Sequence, residues 1–369
     1  MESILRPKKL PDETHEVIVV LEAIHVAMPE VDTSPRTHEV LSYPRTSPAD
    51  DVAARVRDAS IVIVTTCAIN AKTLGEAPYL KCIISHPTGT DHIDLDECRR
   101  RNVQVMNSPS INIEAVSEHA LALYFAARRG LVKLHNTLLD YNEGRPNDWK
   151  AKGSLTSLLR DAEGRAPKTC SQETVAIFGY GALGKRIAQL CRALGMKVII
   201  SARKDSSDTP PSSTPSTTSS SEPPVARVPF AEALRTATVL ILSLPLSPST
   251  LDLISAPELA AMRPDAVLVS VSRGGIVNEA AAAAALAERR IYGYATDVHA
   301  IEPAGSGADS ALLAAGERGE RERSRLNMTL TPHLAWFADT TLLNIQRTVV
   351  ENVRAFVEGT GGYIVVKRT

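Results

Sequence analysis

The sequence predicts an α/β protein built from two doubly wound parallel-sheet units, and three observations carry that prediction. At 369 residues the chain exceeds one ordinary domain and is long enough for two, each with its own core. Short β-rich runs alternate with helix-compatible segments in two separate series, the pattern of parallel strands joined by crossover helices. A glycine-rich turn, with Gly179, Gly181 and Gly184, opens the second series.

In the first series, "VIVVLEA", "IVIVTTC", "LKCIIS" and "VQVMN" lie between Glu16 and Asn107 and read as strands by length and β-branched content. The segment "NIEAVSEHALALYFAARRGLVKLHNTLL" has apolar residues at helical spacing and is too long for a strand, so one long helix is expected to link the two series. The second series runs through "TVAIFGYG", "KVIIS", "ATVLILSL", "DAVLVSV", "YGYATDV" and "NMTLTP". After it, "TTLLNIQRTVVENVRAFVEG" is amphipathic and is expected to form a terminal helix that packs back on the first unit.

Two segments interrupt the pattern. Residues 204 to 226, "KDSSDTPPSSTPSTTSSSEPPVA", have almost nothing to bury and read as a disordered surface insertion. Closing a loop of about 22 residues instead of about 8 costs roughly 0.9 kcal/mol more, so the insertion is compatible with the surrounding fold. The run "GERGERERSRL" from Gly316 reads as a solvated mixed-charge loop or short exposed helix.

Composition narrows the function classes. Charged residues make up 22% and the net charge is -1, which gives no basic field for nucleic acid or an anionic membrane. No run approaches the roughly 18 apolar residues of a membrane span, and the amino terminus has no signal-like apolar core. Five widely spaced cysteines without a C-x-x-C pair argue against a disulfide framework and a zinc site. A cytoplasmic protein without a bound metal is the expectation.

The glycine turn points to a ligand. Gly179, Gly181 and Gly184 directly follow the strand "TVAIF" and open "ALGKRIAQLCRAL", before the strand "MKVIIS", which completes a β-α-β unit of dinucleotide-binding type. Gly179 permits the tight turn, Gly181 lets a pyrophosphate approach backbone N–H groups near Ala182 and Leu183, and Gly184 allows close helix-to-strand packing. An ordinary βα turn is the alternative. Where an NAD site places an acid for the ribose 2′-hydroxyl, this chain has Ala202, followed by Arg203 and Lys204. These cations can pair with a 2′-phosphate, and a charge-assisted hydrogen bond of about 1.5–3 kcal/mol corresponds to roughly ten- to a hundredfold preference for NADP. NADP(H) is therefore the preferred cofactor and NAD(H) the second choice, unless both cations merely begin a polar loop.

Further motifs follow in fixed order: "SLPLSPST", "VSRGGIVNE", "ATDVHAIEP" and "TPHLAW", with "TGTDHIDLDECRRRNVQVMNSPSINIEAVSEHALAL" upstream. Together they resemble the D-isomer-specific 2-hydroxyacid dehydrogenases over nearly the whole chain from about Leu80. The resemblance implies a flavodoxin-like substrate domain, residues 1–115 plus 338–369, interrupted by a Rossmann-like NAD(P)-binding domain at 116–337. It assigns Arg273 to the substrate carboxylate and keto oxygen, a task suited to a permanently charged planar fork. His333 aligns with the acid/base, which ketone reduction needs at the oxygen. Glu302 aligns with the carboxylate that fixes the tautomer of that histidine and favours its charged form.

By the same resemblance Asp297 contacts the nicotinamide carboxamide, while Pro245 and Ser272 line the cofactor. Thr88 and Gly89, in "PTGT", meet the substrate carboxylate through backbone N–H groups. Trp336 points to the glyoxylate/hydroxypyruvate reductase group, and Leu334 with Ala335 stand where formate dehydrogenases carry a serine-glycine pair. The expected partner is a small 2-oxo or 2-hydroxy acid, with a homodimer through the cofactor domain. The same motifs resemble C-terminal-binding corepressors, so a dinucleotide-sensing binding module is the alternative; it should prefer NAD.

Overall fold

The computed structural model describes residues 3–47, 50–142, 144–204, 226–317 and 326–368. The insertion read at 204–226 lies outside the described residues except for Lys204 and Ala226, as does most of the mixed-charge run from Gly316. The chain divides into two units, Met1–Asn112 with Phe337–Thr369, and Ile113–Trp336.

The first unit begins with β1 (His15–Val20) and β2 (Thr37–Ser42), then α1 (Val52–Val56), β3 (Ile61–Val64), α2 (Ala71–Gly75), β4 (Cys82–Ser85), α3 (Leu95–Arg100) and β5 (Gln104–Met106). Every residue of β1, β3 and β4 is buried, because helices or loops cover both faces of a parallel sheet and the strands become near-continuous apolar runs. β2 is different. Its sequence, THEVLS, is mostly exposed or half-buried at the sheet edge, and its polar content carries no strand signal in the sequence. The short helices start on side-chain caps, Asp51, Asn70 and Asp94, each accepting from a backbone N–H three residues on.

The second unit opens with α4 (Ile113–Arg128) and α5 (Leu131–Leu139). The periodicity predicts one continuous helix here; instead the chain breaks at Gly130, whose φ of +57° lies in the left-handed region. A β-carbon at Gly130 would also stand 2.9 Å from the Leu159 side chain. After α6 (Asp148–Lys152) come β6 (Thr174–Phe178), α7 (Ala182–Ala193), β7 (Lys197–Ile200), α8 (Phe230–Thr236), β8 (Val239–Leu242) and α9 (Ala256–Ala261). They are followed by β9 (Val267–Ser270), α10 (Glu279–Ala287), β10 (Gly293–Thr296), α11 (Ala311–Glu317) and β11 (Met328–Leu330).

These six strands are all parallel in the order β7-β6-β8-β9-β10-β11, with an isolated parallel bridge between Ser201 and Val228 beyond β7. Strand alternation sorts the core onto two faces. Val175, Ile177, Val239, Ile241 and Val267 share one cluster with Leu123, Tyr124 and Ile187 of α4 and α7. Ala176, Phe178, Leu240 and Leu268 share the other with residues of α8, α9 and α10. Burying each such Val, Leu or Ile stabilises the fold by about 1.5–3 kcal/mol.

The chain then returns to the first unit. A terminal helix, Asp339–Glu358, lies against β4 and stops at Gly359 in the left-handed region (φ +66°). The last strand, β12 (Ile364–Val366), pairs antiparallel with β5, a strand that no sequence pattern announces. The first sheet therefore runs β12-β5-β4-β3-β1-β2, and its parallel part has the flavodoxin-like order 2-1-3-4-5. Both sheets are doubly wound α/β structures, the fold class the sequence predicts.

Candidate active site

In an open parallel sheet, ligands bind beyond the carboxyl ends of the strands, at the point where the winding reverses. In the second unit that point falls between β6 and β8, and the glycine turn leaves β6 there. Gly179 has φ +93°, and a β-carbon on it would meet Ser243 O at 2.6 Å and the Leu244 side chain at 2.9 Å. A β-carbon on Gly184 would stand 2.0 Å from Gly179 O, so this glycine lets the first turn of α7 close on the loop. Gly181 behaves differently: nothing lies within 4 Å of its would-be β-carbon. The protein's own packing leaves that space open beside the amino end of α7. The N–H groups of Ala182, Leu183 and Gly184 have no partner inside the helix, and Gly181 supplies no side-chain cap. A diphosphate fits this cradle, because unpaired donors and the helix dipole both favour an anion. Ser243, not singled out in the sequence, fastens the turn by donating from Oγ to Gly179 O at 2.9 Å.

At the end of β7, Ala202 N donates to Val228 O (2.8 Å) and Arg203 is exposed. Lys204 is drawn toward α9, with Nζ 2.9 Å from Glu258 Oε1 and 5.9 Å from the centre of the Phe230 ring. Glu258 also accepts from Ser255 N and Oγ in a capping box. Although burial alone would raise the Glu258 carboxyl, Lys204 and Ser255 hold it below the usual range.

The next loops carry the polar groups. Arg273, after β9, is half-buried and donates from Nη1 to Ser272 O at 3.0 Å. Its loop is pinned from both sides. Ser272 Oγ accepts from Leu244 N (3.2 Å), and Gly274 packs so closely on the loop after β10 that a β-carbon would lie 1.7 Å from His299 O. Pro245, exposed in the loop after β8, accepts at its carbonyl from Thr250 Oγ1.

Glu302 follows β10 and His333 follows β11, and the two meet: His333 Nδ1 is 2.6 Å from Glu302 Oε2. An ionised carboxylate only accepts, so Nδ1 carries its hydrogen toward Glu302 and Nε2 points elsewhere. Burial alone would raise Glu302, but the hydrogen bond and charge of His333, with the His299 N–H (2.8 Å), hold it below the ordinary glutamate range. His333 has φ +55°, a conformation that non-glycine residues keep only when the surroundings impose it. Asp297 imposes it here. Its backbone carbonyl accepts from His333 N (2.8 Å), Oδ1 from Leu334 N (3.0 Å) and Oδ2 from Ala335 N (2.8 Å). Thr331 Oγ1 adds a 2.6 Å bond to Oδ1, and His119 Nε2 of α4 lies 3.0 Å from that hydroxyl.

Arg273, Asp297, Glu302 and His333 thus stand beyond three neighbouring strands of one sheet, with the glycine turn on the same edge. Trp336 is half-buried against the cluster that contains Val175 and Ala335. Thr88 and Gly89 belong to the first unit, where the Thr88 hydroxyl donates to Ser108 O (2.8 Å) and Ser85 Oγ donates to Gly89 O (3.3 Å). Thr331, His119 and Ser243 are missed in the sequence, because a hydroxyl or imidazole that holds a loop carries no spacing signal.

The chain is similar to known proteins over most of its length. Residues 122–335, more than half of the chain, match the family profile "D-isomer specific 2-hydroxyacid dehydrogenase, NAD binding domain". The chain is 31% identical to the glycerate dehydrogenase of Methylorubrum extorquens over 325 residues, covering 87% of this chain and 90% of that one. It is 27% identical to the glyoxylate reductase of Pyrococcus furiosus, covering 87% and 86% of the two chains. Among solved structures it is similar to the TT0316 protein of Thermus thermophilus, with a TM-score of 0.71 and 26% identity over 95% of this chain and all of the other. The chain belongs to the D-isomer-specific 2-hydroxyacid dehydrogenases, oxidoreductases that interconvert 2-oxo acids and D-2-hydroxy acids with a nicotinamide dinucleotide.

Proposed function

We propose that this protein is an NADPH-preferring reductase of a small 2-oxo acid in the glyoxylate and hydroxypyruvate class. The observation that carries the reading is the His333–Glu302 pair, 2.6 Å apart, on the same sheet edge as Arg273 and the open cradle at Gly181. When bound, the reduced nicotinamide supplies a hydride to the substrate carbonyl carbon. Arg273 binds the carboxylate and keto oxygen through its planar fork, and His333 gives the proton from Nε2 to the oxygen as its charge develops. Glu302 keeps the Nδ1 hydrogen in place and balances the imidazolium. Thr88 and Gly89 contribute to carboxylate binding and Trp336 to the substrate side; Asp297, Pro245 and Ser272 line the nicotinamide and adenosine sides. The substrate class rests on the names of the glycerate dehydrogenase and glyoxylate reductase relatives. NADPH preference rests on Ala202, which repels no phosphate, and on exposed Arg203.

A second copy of the chain is the proposed partner. Leu131, Leu139, Tyr141 and Trp149, in and after α5, are each more than half exposed and form an apolar arm on the second unit. The test is NADPH and NADH oxidation with glyoxylate, hydroxypyruvate, pyruvate and bulkier aryl 2-oxo acids, on protein whose mass is measured by sedimentation. The expected result is a dimer with kcat/KM about tenfold or more higher for NADPH, and highest for the two smallest hydroxy- or aldehyde-bearing acids. Tight dinucleotide binding without turnover of any acid would instead identify a dinucleotide-sensing module.

A further inference from the structure

The outer edge of the second sheet holds a cation that the sequence does not associate with the cofactor. A doubly wound sheet of this kind has a third strand beyond β7; here it is reduced to the Ser201–Val228 bridge. Val228 N donates to Ile200 O (2.9 Å), and Ala202 N donates to Val228 O (2.8 Å). This pairing brings Arg227, far from Arg203 in sequence, to the carboxyl end of β7. There Arg227 is exposed, and its Nη1 donates to Ser201 O at 3.1 Å.

We propose that Arg227 is a specificity-determining residue that binds the 2′-phosphate of NADP together with Arg203. The inference rests on the NADP reading above and deepens it. An adenosine ribose seated past the glycine turn directs its 2′ position to the end of β7, where an acid would otherwise stand and Ala202 stands here. The bond to Ser201 O uses one of the five guanidinium N–H groups and fixes the fork at the strand end. A held planar fork suits a phosphate better than a flexible ammonium does, because two N–H groups can meet two oxygens at once. Lys204, the cation the sequence places beside Arg203, is occupied by Glu258 and has turned over Phe230. The second phosphate ligand thus comes from across the insertion and not from the residue next in sequence.

The test compares wild type with Arg203→Gln, Arg227→Gln, Arg227→Lys and Lys204→Gln, measuring calorimetric affinity for adenosine 2′,5′-bisphosphate against 5′-AMP and the NADPH/NADH ratio of KM values. Arg227→Gln is expected to reduce the preference for the 2′-phosphorylated ligand about tenfold, the loss of one charge-assisted hydrogen bond. Arg227→Lys recovers part of it, and Lys204→Gln changes the ratio less than twofold. If wild type and Arg203→Gln behave as an NADP site requires but Arg227→Gln keeps the wild-type ratio, Arg227 has no such role. Equal weakening of both ligands by Arg227→Gln likewise excludes it. A wild type that binds 5′-AMP as well as the bisphosphate overturns the NADP reading itself, and this inference with it.

Discussion

Two charge pairs stand at opposite edges of the second sheet, and they are built by opposite rules. Before the strands begin, Arg128 pairs with Glu173, and their side chains are only 2% and 0% exposed. Arg128 Nε is 2.6 Å from one Glu173 oxygen, Nη2 donates to the other, and further N–H groups reach the carbonyls of Asp265 and Thr238. Glu173 also accepts from Tyr124 and from the Thr238 hydroxyl. At the carboxyl edge, His333 and Glu302 have one bond between them and remain 39% and 31% exposed. Nearly all donors and acceptors of the sealed pair are taken up, Arg128 Nε alone meeting Glu173 without hydrogen-bond geometry, which offsets its desolvation and holds the structure in one arrangement. The proton transfer proposed for His333 requires a nitrogen to stay accessible. The backbone, through Asp297, then takes over the work of holding it.

The contrast is broken most severely at the open pair. His333→Ala removes the proposed proton donor and is expected to lower kcat/KM for 2-oxo acid reduction by about 10²–10⁴-fold. Its unfolding midpoint should stay close to wild type, since the side chain is half-exposed, and dinucleotide affinity measured by fluorescence titration should change little. Wild-type turnover in this variant would remove His333 from the chemistry.

The reciprocal change falls on the sealed pair. Glu173→Gln leaves the Arg128 guanidinium buried without its counter-charge, with an expected loss of about 3–5 kcal/mol in urea unfolding. The KM values of the folded protein should remain as in wild type. Replacing both partners with apolar residues, Arg128→Met with Glu173→Leu, should recover much of that loss. If the double variant is no more stable than Glu173→Gln alone, the pair is stabilising for reasons other than mutual compensation.

How much of this was legible in the sequence follows from the same physics. β1, β3, β4, β6, β8 and β9 are buried on both faces and therefore spell out apolar runs. β2 lies at an edge, and β12 is three residues long and owes its existence to β5, so neither has a local pattern strong enough to read. The break at Gly130 depends on a backbone angle and on Leu159, both outside any periodicity. In the site, the glycine turn is readable because its function lies in missing side chains, and the motif order singles out Arg273, Glu302 and His333. The hydroxyls and imidazole that fasten the surrounding loops have no such signal: Thr331 bonds Asp297, His119 bonds Thr331 from α4, and Ser243 bonds Gly179 from 64 residues away. Lys204 illustrates the limit. It is adjacent to Arg203 in the chain, but its ammonium lies 2.9 Å from Glu258 Oε1, a partner visible only once α9 is packed.

The finest test of the open pair is its response to pH. Glu302 is held below the ordinary glutamate range, so its folded value is depressed. Its favourable contribution is therefore complete above the unfolded glutamate value, about 4.3, and is lost as pH falls through the lowered folded value. At neutral pH the carboxylate is fully ionised. In Glu302→Gln the amide oxygen still accepts from Nδ1, so the tautomer is preserved, but the negative charge is gone. The unfolding free energy of wild type relative to this variant should then be largest above the unfolded glutamate value and shrink as pH falls through the lowered folded one. Because the pair is partly exposed, raising the salt should shrink the difference between wild type and variant. A loss of equal size at every pH would mean that Glu302 shapes the loop around His333 without contributing its charge.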